Sequence, residues 1–129
     1  MTRVEKMNGD VLVVEDDVVS RMILCRMLQQ MDLNPVAASS VQEALEVAGK
    51  GDFRLVISDF MLPDGTGLEL LEKLPALGRQ SAPFILVTSV GTAVMENDGG
   101  QHKVDGYLTK PMHSRELRAI VKKVCGDES

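Results

Sequence analysis

Val11 to Asp17 reads VLVVEDD, four aliphatic residues followed at once by three carboxylates. A run of four apolar residues is short for a helix and suits a strand buried on both faces, as in a parallel sheet covered by helices. Three adjacent acids repel one another, so the end of this strand calls for water or a cation. The same grammar recurs along the chain. Leu55–Ser58 (LVIS) is a second clear strand and ends at Asp59; Pro83–Thr88 (PFILVT) is another, and Pro35–Ala38 and Gly106–Thr109 are shorter candidates. Between them lie stretches with helical spacing. Val18–Met31 carries Val19, Met22, Ile23, Met27 and Leu28 on that spacing, with its methionines expected in the core. Val41 to about Ala48 follows Ser40, with Glu43 as its capping-box partner; Leu68–Leu74 and Ser114 to about Val124 complete the set.

Alternating strand and helix predicts an α/β domain with right-handed crossovers and a site beyond the C-terminal ends of the strands. One segment fits poorly. A helix is expected between Thr88 and Gly106, yet Gly99-Gly100 interrupts it, and each Gly costs about 0.8–1 kcal/mol relative to Ala. That helix is expected to be short, displaced or mobile.

The 129 residues fit one domain, 1–129, with a core over about 9–125. Three Phe, one Tyr and no Trp leave an aliphatic core. The formal charge of −5 argues against a nucleic-acid surface, which needs clustered Lys and Arg. Cys25 and Cys125 form no metal or redox pattern and suit a reducing compartment. No apolar run approaches the roughly 20 residues needed to span a bilayer, and MTRVEKMNGD lacks a signal-peptide core. These features predict a cytoplasmic protein without membrane association.

Parallel topology gathers the residues that follow each strand at one edge: Glu15-Asp16-Asp17, Asp59, Thr88-Ser89 and Lys110-Pro111. Oxygen ligands without Cys or a placed His favour Mg²⁺ over zinc or copper. A Lys among carboxylates can balance an anion such as a phosphoryl group, and a Thr hydroxyl can donate to it. His102 and His113 have no partners at metal-ligand spacing and are expected at the surface.

VLVVEDD, VISDFMLPDGTGLEL, ILVTS and GYLTKP, in this order, resemble the receiver domain of two-component response regulators, of the chemotaxis-regulator type. The resemblance spans about Gly9 to Val124. It implies a flavodoxin-like, doubly wound five-stranded parallel sheet of order 2-1-3-4-5 with five helices, the fourth being the irregular one. It implies Asp59 as phosphoacceptor, with Thr88 and Lys110 completing the catalytic set. Glu15, Asp16, Asp59 and the carbonyl of Met61 are the implied Mg²⁺ ligands, Thr88 and Tyr107 the implied switch pair, and Lys110–Pro111 an implied cis bond. Asp17 is left to cap the first helix. Pro63, Gly65 and Gly67 are expected to shape the turn that aims Asp59. Met61 and Val90, both apolar, flank the path of a hydrolytic water, so slow autodephosphorylation is expected.

The implied function is a signalling switch that takes a phosphoryl group from a histidine kinase or phosphotransfer protein and then engages a downstream protein as a monomer or weak dimer. The reading expects no output domain within these residues, as for either a stand-alone receiver or one excised from a longer protein. The alternative is a non-phosphorylated pseudo-receiver serving only as a protein-binding module, against which the intact Glu15, Asp16, Asp59, Thr88 and Lys110 set counts. Enzyme readings fit less well. A dehalogenase-type phosphatase needs a second Asp where Met61 stands, the acidic loop would repel a flavin phosphate, and no GxxxxGK[ST] loop is present.

Overall fold

A computed structural model of the chain describes residues 10–77, 82–89 and 104–126. Five strands form one parallel sheet: β1 (Asp10–Val14), β2 (Asn34–Ala38), β3 (Phe53–Asp59), β6 (Phe84–Thr88) and β7 (Gly106–Thr109), in the order β2-β1-β3-β6-β7. This is the expected 2-1-3-4-5 order. The intervening β4 (Met61–Leu62) and β5 (Gly65–Thr66) form a small antiparallel hairpin of their own.

The apolar runs are unbroken because helices cover both faces. On one side α2 (Val41–Ala48) and α3 (Gly67–Lys73) set Val41, Ala44, Ala48, Leu68 and Leu70 against Leu12, Val14, Val56, Phe84 and Leu86. On the other, α1 (Val18–Gln29) and α4 (Ser114–Cys125) set Leu24, Leu28, Leu117 and Val121 against Val11, Val13, Ile57, Ile85 and Val87. A short 3-10 turn, Leu74–Leu77, extends α3 beyond the predicted end. Strand β2 lies at the sheet edge, which is where Pro35 can be tolerated.

The face of α1 departs from expectation. Val19, Met22 and Ile23 of the expected stripe are 50–63% exposed, whereas its Leu28 is buried and anchors the helix together with Leu24. Helical spacing identified a stripe, but only the second half of the helix rests on the sheet. Met22 is therefore not a core residue; Met27, Met31 and Met112 do pack against the core, half-buried.

Caps fix the helix starts. Asp17 accepts from the Ser20 N–H at 2.8 Å, as expected. Ser40 Oγ accepts from the Glu43 N–H at 3.0 Å, but Glu43 reaches back to the N–H and hydroxyl of Ser39, both at 2.8 Å, rather than to Ser40. Thr66 and Glu69 form a reciprocal capping box on α3. The expected fourth helix, Gly99-Gly100, Val90 and His102 lie outside the described residues. Among the described residues no helix is long and apolar enough to cross a membrane.

Hydrogen bonds from N–H groups hold the carboxylates of Glu43 and Asp64 below the usual range, those of Ser39 for Glu43 and of Gln42 and Val41 for Asp64. A depressed folded pKa gives stability that is complete above the unfolded value near 4 and is lost as pH falls through the folded one. The melting midpoint should therefore drop between about pH 5 and pH 3. Glu43→Gln with Asp64→Asn should flatten that part of the profile, measured by circular dichroism, and an unchanged slope would contradict these caps.

Candidate functional site

Glu15 leaves the end of β1 with its backbone N–H on the Ala38 carbonyl at 3.0 Å and its own carbonyl accepting from Arg21 Nη1 at 2.9 Å. Its side chain is held as firmly. The carboxylate accepts from the Asp17 N–H at 3.0 Å and from Lys110 Nζ at 2.9 Å, and only 5% of the side chain is exposed. Lys110 Nζ also donates to Asp59 Oδ2 at 3.1 Å. One ammonium thus bridges the ends of β1 and β3. Strand β7 delivers it, because Thr109 pairs with Thr88 and the Lys110 N–H continues the ladder to the Thr88 carbonyl at 2.9 Å. The Lys110–Pro111 bond is cis, as expected.

Asp16 is exposed and completes the acidic group. Glu15, Asp16 and Asp59 each offer a carboxylate oxygen within 4.8 Å of the others. The donor set is all oxygen and suits a hard divalent cation such as Mg²⁺. Burial, with the charge of Asp59, raises the Glu15 carboxyl above its ordinary range, although Lys110 and the Asp17 N–H oppose the rise. Burial alone would lower Lys110, but its bonds to Glu15 and Asp59 and their charges lift its pKa. Three carboxylates thus gather around one ammonium.

Asp59 is aimed from below. The Phe60 N–H is bonded to the Val87 carbonyl at 2.7 Å, and the Gly67 N–H to the Phe60 carbonyl at 2.8 Å. Ser58 Oγ donates to the Asp59 carbonyl at 2.9 Å. Gly67 has a packing role beyond turn shape: a Cβ there would lie 2.6 Å from the Asp59 carbonyl oxygen. Gly65 leaves room for the Glu69 carboxylate that caps α3.

Thr88 ends β6, 2% exposed, beside this cluster in the sheet. Tyr107 lies on β7 opposite Leu86, half-buried against the first core. Met61 begins the hairpin and is 63% exposed; its soft thioether does not suit a hard cation, whereas its backbone carbonyl does. His113 is exposed at the start of α4. Sequence reasoning missed Arg21 and Asp64, whose partners are backbone groups, those of Asp64 remote in sequence. It also missed the Thr66–Glu69 box, although its T-x-x-E spacing was there to be read.

Comparison with known proteins bears on the family and the fold. The family profile described as the response regulator receiver domain matches residues 11–122. The phosphate regulon transcriptional regulatory protein PhoB of Klebsiella pneumoniae is 33% identical over 116 residues, covering 88% of this chain and 50% of PhoB. The chain spans about half the length of the curated relatives it matches. Among solved structures, chemotaxis protein CheY4 of Vibrio cholerae superposes with a TM-score of 0.82 at 25% identity, over 91% of this chain and 98% of that one. A CheY-like receiver domain protein of Methanospirillum hungatei gives 0.82 at 27%, over 92% and 94%.

Proposed function

The chain belongs to the response regulator receiver domain family, and from that premise we propose that it is a cytoplasmic signalling switch phosphorylated on Asp59 by a histidine kinase or phosphotransfer protein. The observation that carries the proposal is Lys110 Nζ set between Glu15 and Asp59, with Asp16 closing an all-oxygen cluster at the strand ends. A carboxylate oxygen of Asp59 attacks the phosphorus of a phosphohistidine. The P–N bond breaks, an acyl phosphate forms, and the imidazole leaves with a proton from solvent. Lys110 neutralises charge on the incoming group, and the Thr88 hydroxyl donates to one of its oxygens. Mg²⁺, when held by Glu15, Asp16, Asp59 and the Met61 carbonyl, supplies further positive charge where two anions must meet. Engagement of Thr88 then draws Tyr107 inward, changing the surface presented to a downstream protein. Beyond its own aspartyl phosphorylation and dephosphorylation, the domain is proposed to catalyse nothing.

The test is intact-mass analysis after incubation with acetyl phosphate and Mg²⁺. Wild type is expected to gain one phosphoryl group and Asp59→Asn none. A wild type that gains nothing from acetyl phosphate or from a phosphohistidine donor would leave only a binding module.

Transfer from a protein donor needs a docking surface beside the rim. Val18, Val19, Met22 and Ile23 of α1, which starts directly after the acidic triplet, supply exposed apolar area, and Met61 adds more on the hairpin after Asp59. Ile23→Asp should slow transfer from a phosphohistidine protein about fivefold or more, as for loss of an apolar interface anchor. Labelling by acetyl phosphate should be unchanged. Equal slowing of both reactions would count against this surface.

A further inference from the structure

Asp64 occupies the two-residue turn of the β4–β5 hairpin, whose first residue is Met61. Its carboxylate grips the start of α2. Oδ1 accepts from the Val41 N–H at 2.8 Å and Oδ2 from the Gln42 N–H at 3.0 Å, the first two residues of α2. The neighbouring Gly65 packs on the same helix start, since a Cβ there would sit 3.4 Å from Val41 Cγ2. The segment leading into α2 runs back through Ser40 and Ser39 to Ala38, whose carbonyl holds the Glu15 N–H. At its base the hairpin is fixed by Phe60, through Val87 and Gly67.

We propose that Asp64 is a positioning residue for the cation site, a role that rests on the reading of that site given above. It touches none of the reacting groups. It braces the loop bearing the Met61 carbonyl against the chain that fixes Glu15, so that ligands from β1 and β3 keep their spacing. Plain helix capping is a competing role, and Ser40 separates the two. Ser40 Oγ caps the same helix through the Glu43 N–H but makes no bond to the hairpin.

The experiment uses the whole chain and measures Mg²⁺ affinity by calorimetry, with amide hydrogen exchange of residues 60–66 in the metal-free protein. Asp64→Ala should weaken Mg²⁺ binding roughly tenfold, the lower end for groups that support metal ligands, whereas Ser40→Ala should stay within about twofold. Exchange at 60–66 should quicken in Asp64→Ala and not in Ser40→Ala, and Asp64→Asn, which keeps one acceptor oxygen, should fall between. Unchanged affinity in Asp64→Ala, or an equal loss in Ser40→Ala, overturns the proposal. Were wild type to bind no Mg²⁺, the reading of the cation site would fail. The exchange comparison would still decide whether Asp64 braces the loop.

Discussion

Lys110→Ala is expected to lower the stability of the metal-free protein by about 2 kcal/mol at pH 7. The estimate starts from the roughly 3–5 kcal/mol lost when one partner of a buried ion pair is removed, reduced because water reaches the lysine. Its side chain is 27% exposed, whereas those of Glu15 and Asp59 are 5% and 11% exposed. Without the ammonium, two carboxylates face each other with the Asp17 N–H as remaining support for Glu15. Glu15 is already raised by burial, and losing Lys110 should raise it further. A raised folded pKa gives stability that is complete below the unfolded value and is lost as pH rises through the folded one. The variant's deficit should therefore shrink as pH falls from 7 toward 5, read by urea denaturation. Added Mg²⁺ should recover part of it, because binding to the native state alone stabilises by mass action. Labelling by acetyl phosphate should fall about 10²–10³-fold, as when one preorganised group facing developing charge is removed. Lys110→Arg keeps the charge but replaces a compact ammonium with a planar fork, so it should restore most of the stability and less of the rate. A variant as stable as wild type with an undiminished rate would remove Lys110 from the mechanism.

The sheet was readable because burial on both faces imposes unbroken apolar runs, so Val11–Val14 and Leu55–Ser58 stood out. Edge strand β2, with Asn34-Pro35 in it, carried a weaker signal. Glu15, Asp16, Asp59, Thr88 and Lys110 were legible as a set because parallel strands all end at one rim. The first turns of α1 were not. Periodicity marks which residues share a helix face but not how much of that face meets the sheet, hence the misplacement of Val19, Met22 and Ile23. Arg21 and Asp64 escaped for a different reason. Each bonds main-chain groups, and a backbone carbonyl or N–H looks the same at every position of a sequence. Asp64 is 22 residues from Gln42, and only the folded chain brings them together.

Gly67→Ala should show how tightly the acceptor is aimed. The added Cβ would lie 2.6 Å from the Asp59 carbonyl oxygen, 2.7 Å from Leu86 Cδ1 and 3.1 Å from Ser58 Oγ. Leu86 can yield by changing rotamer, but the carbonyl belongs to a strand paired on both sides and can yield only with the backbone. Gly67 cannot back away easily either, since its N–H is bonded to Phe60 at 2.8 Å. Overpacking of this kind costs about 1–3 kcal/mol. Alanine's better helix propensity returns at most about 1 kcal/mol, and less at the first residue of α3. A net loss of roughly 1–2 kcal/mol is expected from thermal or urea melts. The displaced carbonyl should also break the Ser58 hydroxyl bond and tilt the Asp59 side chain out of line with Lys110. Misplacement of a reacting group by about 1 Å can cost 10²-fold in rate, so labelling by acetyl phosphate should fall by more than the loss of folded protein explains. Gly51→Ala is the matched control, because a Cβ at Gly51 meets nothing within 4 Å. It should change stability by less than about 0.5 kcal/mol and leave labelling intact. If Gly67→Ala lost stability but labelled at the wild-type rate per folded molecule, the contact beneath Asp59 would be a packing constraint alone.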